Sequence, residues 1–225
     1  MTVFRSQRSQ ESDVRRIVVK LPPPQLSSSV SVEETILRRR SVRRYRADAL
    51  GLSQLGQILW SAQGITGGRA FRAAPSAGAT YPLEIFVFVA EQGVIVDGAG
   101  RSPDALKAGI YHYEVASHSL SMHKPGDLRP DLARAALDQG FITEAPVAIA
   151  ICAIYRRTSS RYGERGARYV HMEVGHVGEN VHLQAVALGL TTVEIGAFSD
   201  EAVRGILGVE EQTEPLYIMP LGKAL

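Results

Sequence analysis

The sequence predicts an α+β fold, because helical and strand signals both recur along the chain without the regular alternation of a βαβ protein. Two observations carry this. Between residues 168 and 188, Val170, Val174, Val177, Val181, Ala185 and Leu188 fall at spacings of three and four on one stripe, the pattern of a long amphipathic helix. Elsewhere the apolar residues come in short runs of strand character, of which residues 148–154 are the clearest.

Taken in order, residues 1–30 read as an arm, polar at first, then Ile17-Val18-Val19, Pro22-Pro23-Pro24 and Ser27-Ser28-Ser29; extended or poorly ordered structure is expected there. Ser31 is the expected N-cap of a first helix with Glu33 and Glu34 in its first turn, apolar positions at Val32, Ile36 and Leu37, and arginines at its end. A second helix is expected from Ser53 as N-cap through Leu55, Ile58, Leu59 and Ala62 to Gly64, followed by a loop over 64–68. Strands are expected over 84–90, 110–115 and 119–123, a helix over 127–137, and a strand over 148–154. The long helix of 168–188 ends at Gly189. A short strand to Ile195, a helix over 200–207 and a last strand over 216–220 complete the chain.

A chain of 225 residues makes one large domain or two small ones. Its formal net charge of +2 makes no global case for nucleic acid. Arg5, Arg8, Arg15, Arg16 and Lys20 do load the N-terminal portion, but the aromatic platforms of a single-strand binder are not interleaved with them and no base-reading motif follows. Cys152 is the single cysteine, so one chain builds neither an internal disulfide nor a thiolate metal cluster, and a reducing cytoplasm is the simpler assumption. Its apolar surroundings mark it as a core residue rather than a nucleophile. No segment is long and apolar enough to span a bilayer, and no signal-peptide apolar region is present.

Three motifs fail on inspection. Gly98-Ala99-Gly100 follows the apolar Val94-Ile95-Val96 as a dinucleotide loop should, but Pro103 stands where the third glycine belongs. Two Glu-x-x-His units, Glu173 to His176 and Glu179 to His182, start six residues apart. At about 100° per residue they point roughly 120° from each other and do not converge on one metal. Ser, His and Asp are all present, yet no Gly-x-Ser-x-Gly elbow places a nucleophilic serine.

What remains is a basic run and a permissive loop. Arg38-Arg39-Arg40-Ser41-Val42-Arg43-Arg44-Tyr45 concentrates guanidinium donors and a hydroxyl where the first helix ends, so an anion is expected there; a solvated helix end is the plainer alternative. Residues 69–82, with Ala73, Ala74, Pro75, Ser76, Ala77, Gly78 and Ala79, form a small-residue loop that lets a flat ligand approach the backbone, or else an ordinary connector. A second permissive stretch runs from Thr191 to Phe198.

Together, the arginine run, the Pro75–Pro82 loop, the 187–198 segment and the terminal Pro220-Leu221-Gly222-Lys223 resemble, in order, the nitroreductase family of flavin enzymes. Ala74-Pro75-Ser76-Ala77-Gly78, Gly109-Ile110-Tyr111-His112-Tyr113 and Arg161-Tyr162-Gly163-Glu164-Arg165-Gly166 make it most similar to the SagB-type dehydrogenase branch. The resemblance spans residue 31 to the end and implies one FMN-binding domain over 31–225. It implies a mainly antiparallel central sheet flanked by helices, in an intertwined homodimer with FMN at the interface.

The resemblance also implies roles. Arg39, Arg40, Ser41 and Arg43 match the family's FMN-binding pattern, with Lys223 serving phosphate and ribityl chain and Arg43 facing the flavin pyrimidine. Pro75, Ser76, Ala77 and Gly78 would contact the isoalloxazine from the other subunit. Ile195, Gly196 and Ala197 would lie near the flavin N5, and Gln139 at the flavin edge. The implied chemistry is hydride transfer in a ping-pong cycle. It needs positioning and a dry pocket more than an acid, base or metal. The substrate stays open between NADH or NADPH with nitro compounds or quinones, and azoline rings in modified peptides. Peptide-azoline enzymes of the branch carry Lys-Tyr where Arg161-Tyr162 stands here, and arginine is a poor proton acceptor. Tyr162 either acts as acid or base, or packs. A non-enzymatic flavin- or nucleic-acid-binding regulator built on the same dimer is the contrasting class.

Overall fold

The structure, a computed structural model, describes residues 17–68, 71–96 and 104–225. Within the expected arm, β1 (Val18–Lys20) is ordered as an edge strand, so this part is extended. The Gly98–Gly100 motif and residues 1–16 lie outside the described residues. Helix α1 (Val32–Arg38) starts as the sequence dictates, with Ser31 Oγ accepting from Glu34 N–H at 3.1 Å. Its apolar positions are not core: Val32, Ile36 and Leu37 are exposed, and the buried residue is Thr35.

After β2 (Leu50–Gly51), α2 (Leu52–Gln63) begins one residue before the expected cap. Gly51 is the N-cap in place of Ser53, and Gln54 Oε1 accepts from its N–H at 3.0 Å. The expected loop at 64–68 contains β3 (Ile65–Gly67), paired antiparallel with β4 (Phe71–Arg72). Next come a single 3-10 turn (Ala77–Ala79), β5 (Leu83–Val89), β6 (Val94–Ile95), β7 (Gly109–Glu114) and β8 (Ser119–Pro125). The expected helix at 127–137 is shorter, α3 (Arg129–Ala135), and is followed by α4 (Phe141–Glu144) and β9 (Val147–Ala153). Helix α5 (Arg156–Tyr162), which has no apolar stripe to announce it, precedes α6 (Arg165–Ala187), three residues longer at its start than expected. The chain ends with β10 (Thr191–Thr192), α7 (Asp200–Leu207) and β11 (Glu214–Gly222).

Seven strands form one sheet in the order β1-β8-β7-β5-β9-β11-β10, every neighbouring pair antiparallel. Side chains alternate between its faces. Leu83, Ile85, Val87 and Val89 of β5 and Val147, Ile149 and Ile151 of β9 pack on one face with Leu55, Ile58 and Leu59 of α2 and Val170, Val174, Val177 and Val181 of α6. Phe86, Phe88, Ala148, Ala150 and Cys152 pack on the other with Leu132 of α3 and Val203 and Leu207 of α7. The central β9 is covered on both faces, which is why it reads as an unbroken apolar run. Cys152 is fully buried there and burial pushes its thiol pKa far up, so it is a core residue as its surroundings predict. Among the described residues no helix is long and apolar enough to cross a membrane.

Candidate functional site

The arginine run leaves helical geometry at Arg39, whose backbone turns to φ −52°, ψ 125°, and continues as extended chain along the sheet edge. Val42 N–H donates to Thr192 O at 3.1 Å, Arg46 N–H to Lys223 O at 3.0 Å and Leu225 N–H to Arg44 O at 3.2 Å. Buried Tyr45 pins the segment by donating its hydroxyl to Val42 O at 2.6 Å. Ser41 is thereby paired with Thr192, and Lys223 lies beside Arg46. Three of the cations have carboxylate partners: Arg38 pairs with Glu34 at 2.8 Å, and Arg46 and Lys223 share Asp48 at 3.3 and 3.4 Å. Arg40 donates only to backbone, to Leu37 O and Arg39 O. Among the described residues, Arg39, Arg43 and Arg44 have no carboxylate within ion-pair distance.

Glu194 sits behind this edge. Burial raises its carboxyl, but His182 at 2.7 Å and the more distant charge of Arg39 hold it below the usual range. Thr192 Oγ1, fully buried next to Ser41, has no hydrogen-bond partner. The segment then crosses to Ile195, whose N–H and C=O both bond Ile218 at 2.9 and 3.0 Å, while Gly196 and Ala197 stand exposed. Gln139 Nε2 donates to Ala197 O at 3.3 Å. Gln139, residues 195–197, Ser41 and Lys223 are thus held by neighbouring elements around the β10–β11 edge.

The small-residue loop forms a second group. Ser76 Oγ accepts from Tyr81 N–H at 2.9 Å and closes the loop on itself, with Gly78, Ala79 and Tyr81 at φ +60°, +53° and +45°. Two left-handed residues that are not glycine persist only where the surroundings hold them. Helix α5 does so: Thr158 and Thr80 hydroxyls meet at 2.8 Å, Arg157 donates to Tyr81 O at 3.1 Å, and Arg161 donates to Gly78 O at 3.1 Å. Arg161 also lies 5.5 Å from the Tyr162 ring, which meets Tyr169 edge-on at 5.0 Å. Pro75, Ser76, Ala77, Gly78, Arg161 and Tyr162 therefore share one surface. No hydrogen bond joins it to the arginine edge within the chain, among the described residues.

Three residues here escape sequence reasoning. Arg157 reaches back to Glu84 at 2.5 Å, and Glu84 accepts from His112 at 2.7 Å. Burial lowers the His112 pKa, but the bonds to Glu84 and to Glu114 at 3.2 Å overcome it and raise it. Glu84 and Arg157 carried no signal, whereas His112 lay within the Gly109–Tyr113 run. Each Glu-x-x-His unit has one buried and one exposed member: Glu173 and His182 are buried, His176 and Glu179 exposed. No group of three metal-ligating side chains occurs among the described residues.

Residues 36–223 match the model of the nitroreductase family, and the chain belongs to that family. A Methanocaldococcus jannaschii protein that carries a nitroreductase name is 44% identical over 196 residues, covering 87% of this chain and 92% of its own. A crystal structure from Ralstonia eutropha, also described as a nitroreductase, superposes with a TM-score of 0.76 at 24% identity, over 92% of this chain and 90% of that one. A chain of the Escherichia coli microcin synthetase complex McbBCD, with truncated pro-MccB17 bound, gives a TM-score of 0.68 at 22% identity, over 99% and 85%. The protein is thus an oxidoreductase of the nitroreductase family.

Proposed function

We propose that the chain is an FMN-dependent oxidoreductase working as a homodimer, with residues 31–225 as its flavin domain. The observation that carries this is the cation edge: among the described residues Arg39 and Arg43 have no carboxylate within ion-pair distance, and they flank Ser41, which bridges to Thr192 beside that residue's unpartnered hydroxyl. This donor set fits a flavin mononucleotide, whose phosphate needs cations and hydroxyls. Bound FMN would supply reversible two-electron hydride chemistry. Arg39, Arg40, Ser41 and Lys223 would hold the phosphate and ribityl chain. Arg43 would place a fixed positive charge where negative charge develops on the flavin pyrimidine. Exposed Gly196 and Ala197 would offer backbone N–H to the flavin N5, and Gln139 steadies that segment through Ala197 O. By the family resemblance, the Pro75–Gly78 loop would act on the partner's flavin. The exposed Val32, Ile36 and Leu37 favour a buried counterpart on a second copy.

On the substrate, Arg161 donates to Gly78 O and so orients the loop, and a guanidinium is a poor proton acceptor. Tyr162 brings a phenolic hydroxyl to that surface. This weakens a direct equivalence with peptide-azoline dehydrogenases. It leaves an NADH- or NADPH-dependent reductase as the second reading, favoured by the 44% identical relative's name. A yellow preparation that releases FMN on denaturation is expected; a colourless protein that takes up no added FMN would overturn the proposal. Anaerobic bleaching by NADH or NADPH supports the reductase, and bleaching by neither supports an organic ring donor.

A further inference from the structure

Beneath the loop lies a carboxyl that neither the cofactor nor the hydride chemistry uses. Glu173 projects from α6, is 2% exposed, and has the Ser76 and Gln63 side chains and the Arg72 charge around it. Its Oε1 has no hydrogen-bond partner, and neither has Nε2 of the fully buried Gln63. Gln63 Oε1 is already taken by Arg72 Nη1 at 2.8 Å, and Arg72 also lies 4.3 Å over the Tyr81 ring. Two unpartnered polar atoms in one buried place are costly. They mark an arrangement poised between two hydrogen-bonding states.

Ser76 is where those states reach the surface. A hydroxyl has one proton and two lone pairs. Tyr81 N–H occupies one lone pair at 2.9 Å, so one donor and one acceptor direction remain. Ser76 is half-buried, and its hydroxyl acts on the buried Glu173 carboxyl as a hydrogen-bonding neighbour.

We propose that Glu173 is a positioning residue that sets the polarity Ser76 presents to a ligand on the loop. An ionised Glu173 draws the Ser76 proton inward and leaves a lone pair outside. A protonated Glu173 donates to Ser76 Oγ and turns the hydroxyl proton outward. The proton exchanges with solvent; no electron moves. Burial raises the Glu173 pKa, against the Ser76, Gln63 and Arg72 contributions that lower it, which brings the exchange toward neutral pH. Arg72 of β4 is the charged group facing the carboxyl; Glu84, Arg157 and Tyr81 act on Arg72 in turn, and His176, one turn along α6, is exposed.

This inference rests on the reading of the loop as a flavin contact. The test is titration of oxidised FMN, and of riboflavin, into apoprotein from about pH 5.5 to about pH 8.5, riboflavin removing the phosphate's own titration. Wild-type affinity for both should change about threefold to tenfold across the range, the worth of one hydrogen bond. Glu173→Gln should hold the affinity at the wild-type low-pH value, and Ser76→Ala should abolish the dependence with Glu173 intact. A wild-type pH profile retained in either variant overturns the proposal, as does a wild-type affinity for riboflavin that does not change with pH. If Glu173→Gln does not fold, Ser76→Ala is judged beside Ser76→Thr, which keeps the hydroxyl that accepts from Tyr81 N–H and should retain the dependence; loss of the dependence in both overturns the proposal. Uptake of neither flavin by wild type at any pH would instead overturn the flavin reading itself.

Discussion

Gly78 shows how one residue couples the loop to α5. At φ +60° it occupies left-handed backbone, and an added Cβ would lie 2.6 Å from Tyr162 Oη and 2.8 Å from Arg161 Nη1. Gly78→Ala should therefore displace the Arg161–Tyr162 pair and destabilise the fold by about 1 to 2 kcal/mol, read by chemical denaturation. In the arginine run the proposal separates neighbours. Arg43→Ala should weaken FMN retention about tenfold or more, the loss of a charge-assisted bond, while Arg44→Ala should leave it unchanged in equilibrium dialysis. Equal losses would show that the register is wrong. His112 adds a pH signature. Its folded pKa is raised above the unfolded value, so its contribution to stability is fully present below about pH 6.5 and lost as pH rises through the folded pKa. His112→Gln should therefore cost more stability in acid than in mild alkali, measured by urea unfolding at both.

At the scale of elements, the seating of α5 on α6 decides where the loop sits. Gly166 lies 2.7 Å, by the position of an added Cβ, from Ser159 Cα, so the two helices meet backbone to backbone. Gly166→Ala should part them at a cost of about 1 to 3 kcal/mol and loosen Arg157 and Arg161 from Tyr81 O and Gly78 O. Hydrogen exchange should quicken at the Ala79, Thr80 and Tyr81 amides, which donate to Ser76 and Ala77 within the loop these arginines hold. At the other end, Glu84 joins the sheet to the same helix through Arg157, and His112 joins it to β7. Helix α5 is thus fixed on the loop, the sheet and α6 together.

The whole molecule carries one asymmetry. The sheet is covered on both faces, yet α1 turns Val32, Ile36 and Leu37 outward. Within the homodimer proposal this face packs on the partner, and Ile36→Asp should shift the protein toward monomer in sedimentation velocity. FMN should be lost with the dimer if the Pro75–Gly78 loop serves the partner's flavin. A variant that stays dimeric would place the interface elsewhere.

Local signals carried much of this architecture. The Ser31 cap, the α6 stripe and the apolar β9 are each legible in sequence because propensity and burial act on neighbouring residues in the same sense. What the tertiary structure alone decided is contact between distant segments. Ser41 meets Thr192, Arg161 meets Gly78 and Glu173 lies beneath Ser76 across gaps that no periodicity records. α5 has too short and polar a sequence to announce itself, and it is stabilised by the loop it clamps. Val32, Ile36 and Leu37 spell an amphipathic helix in sequence, and only the packing of the other elements determines that their apolar face remains outside.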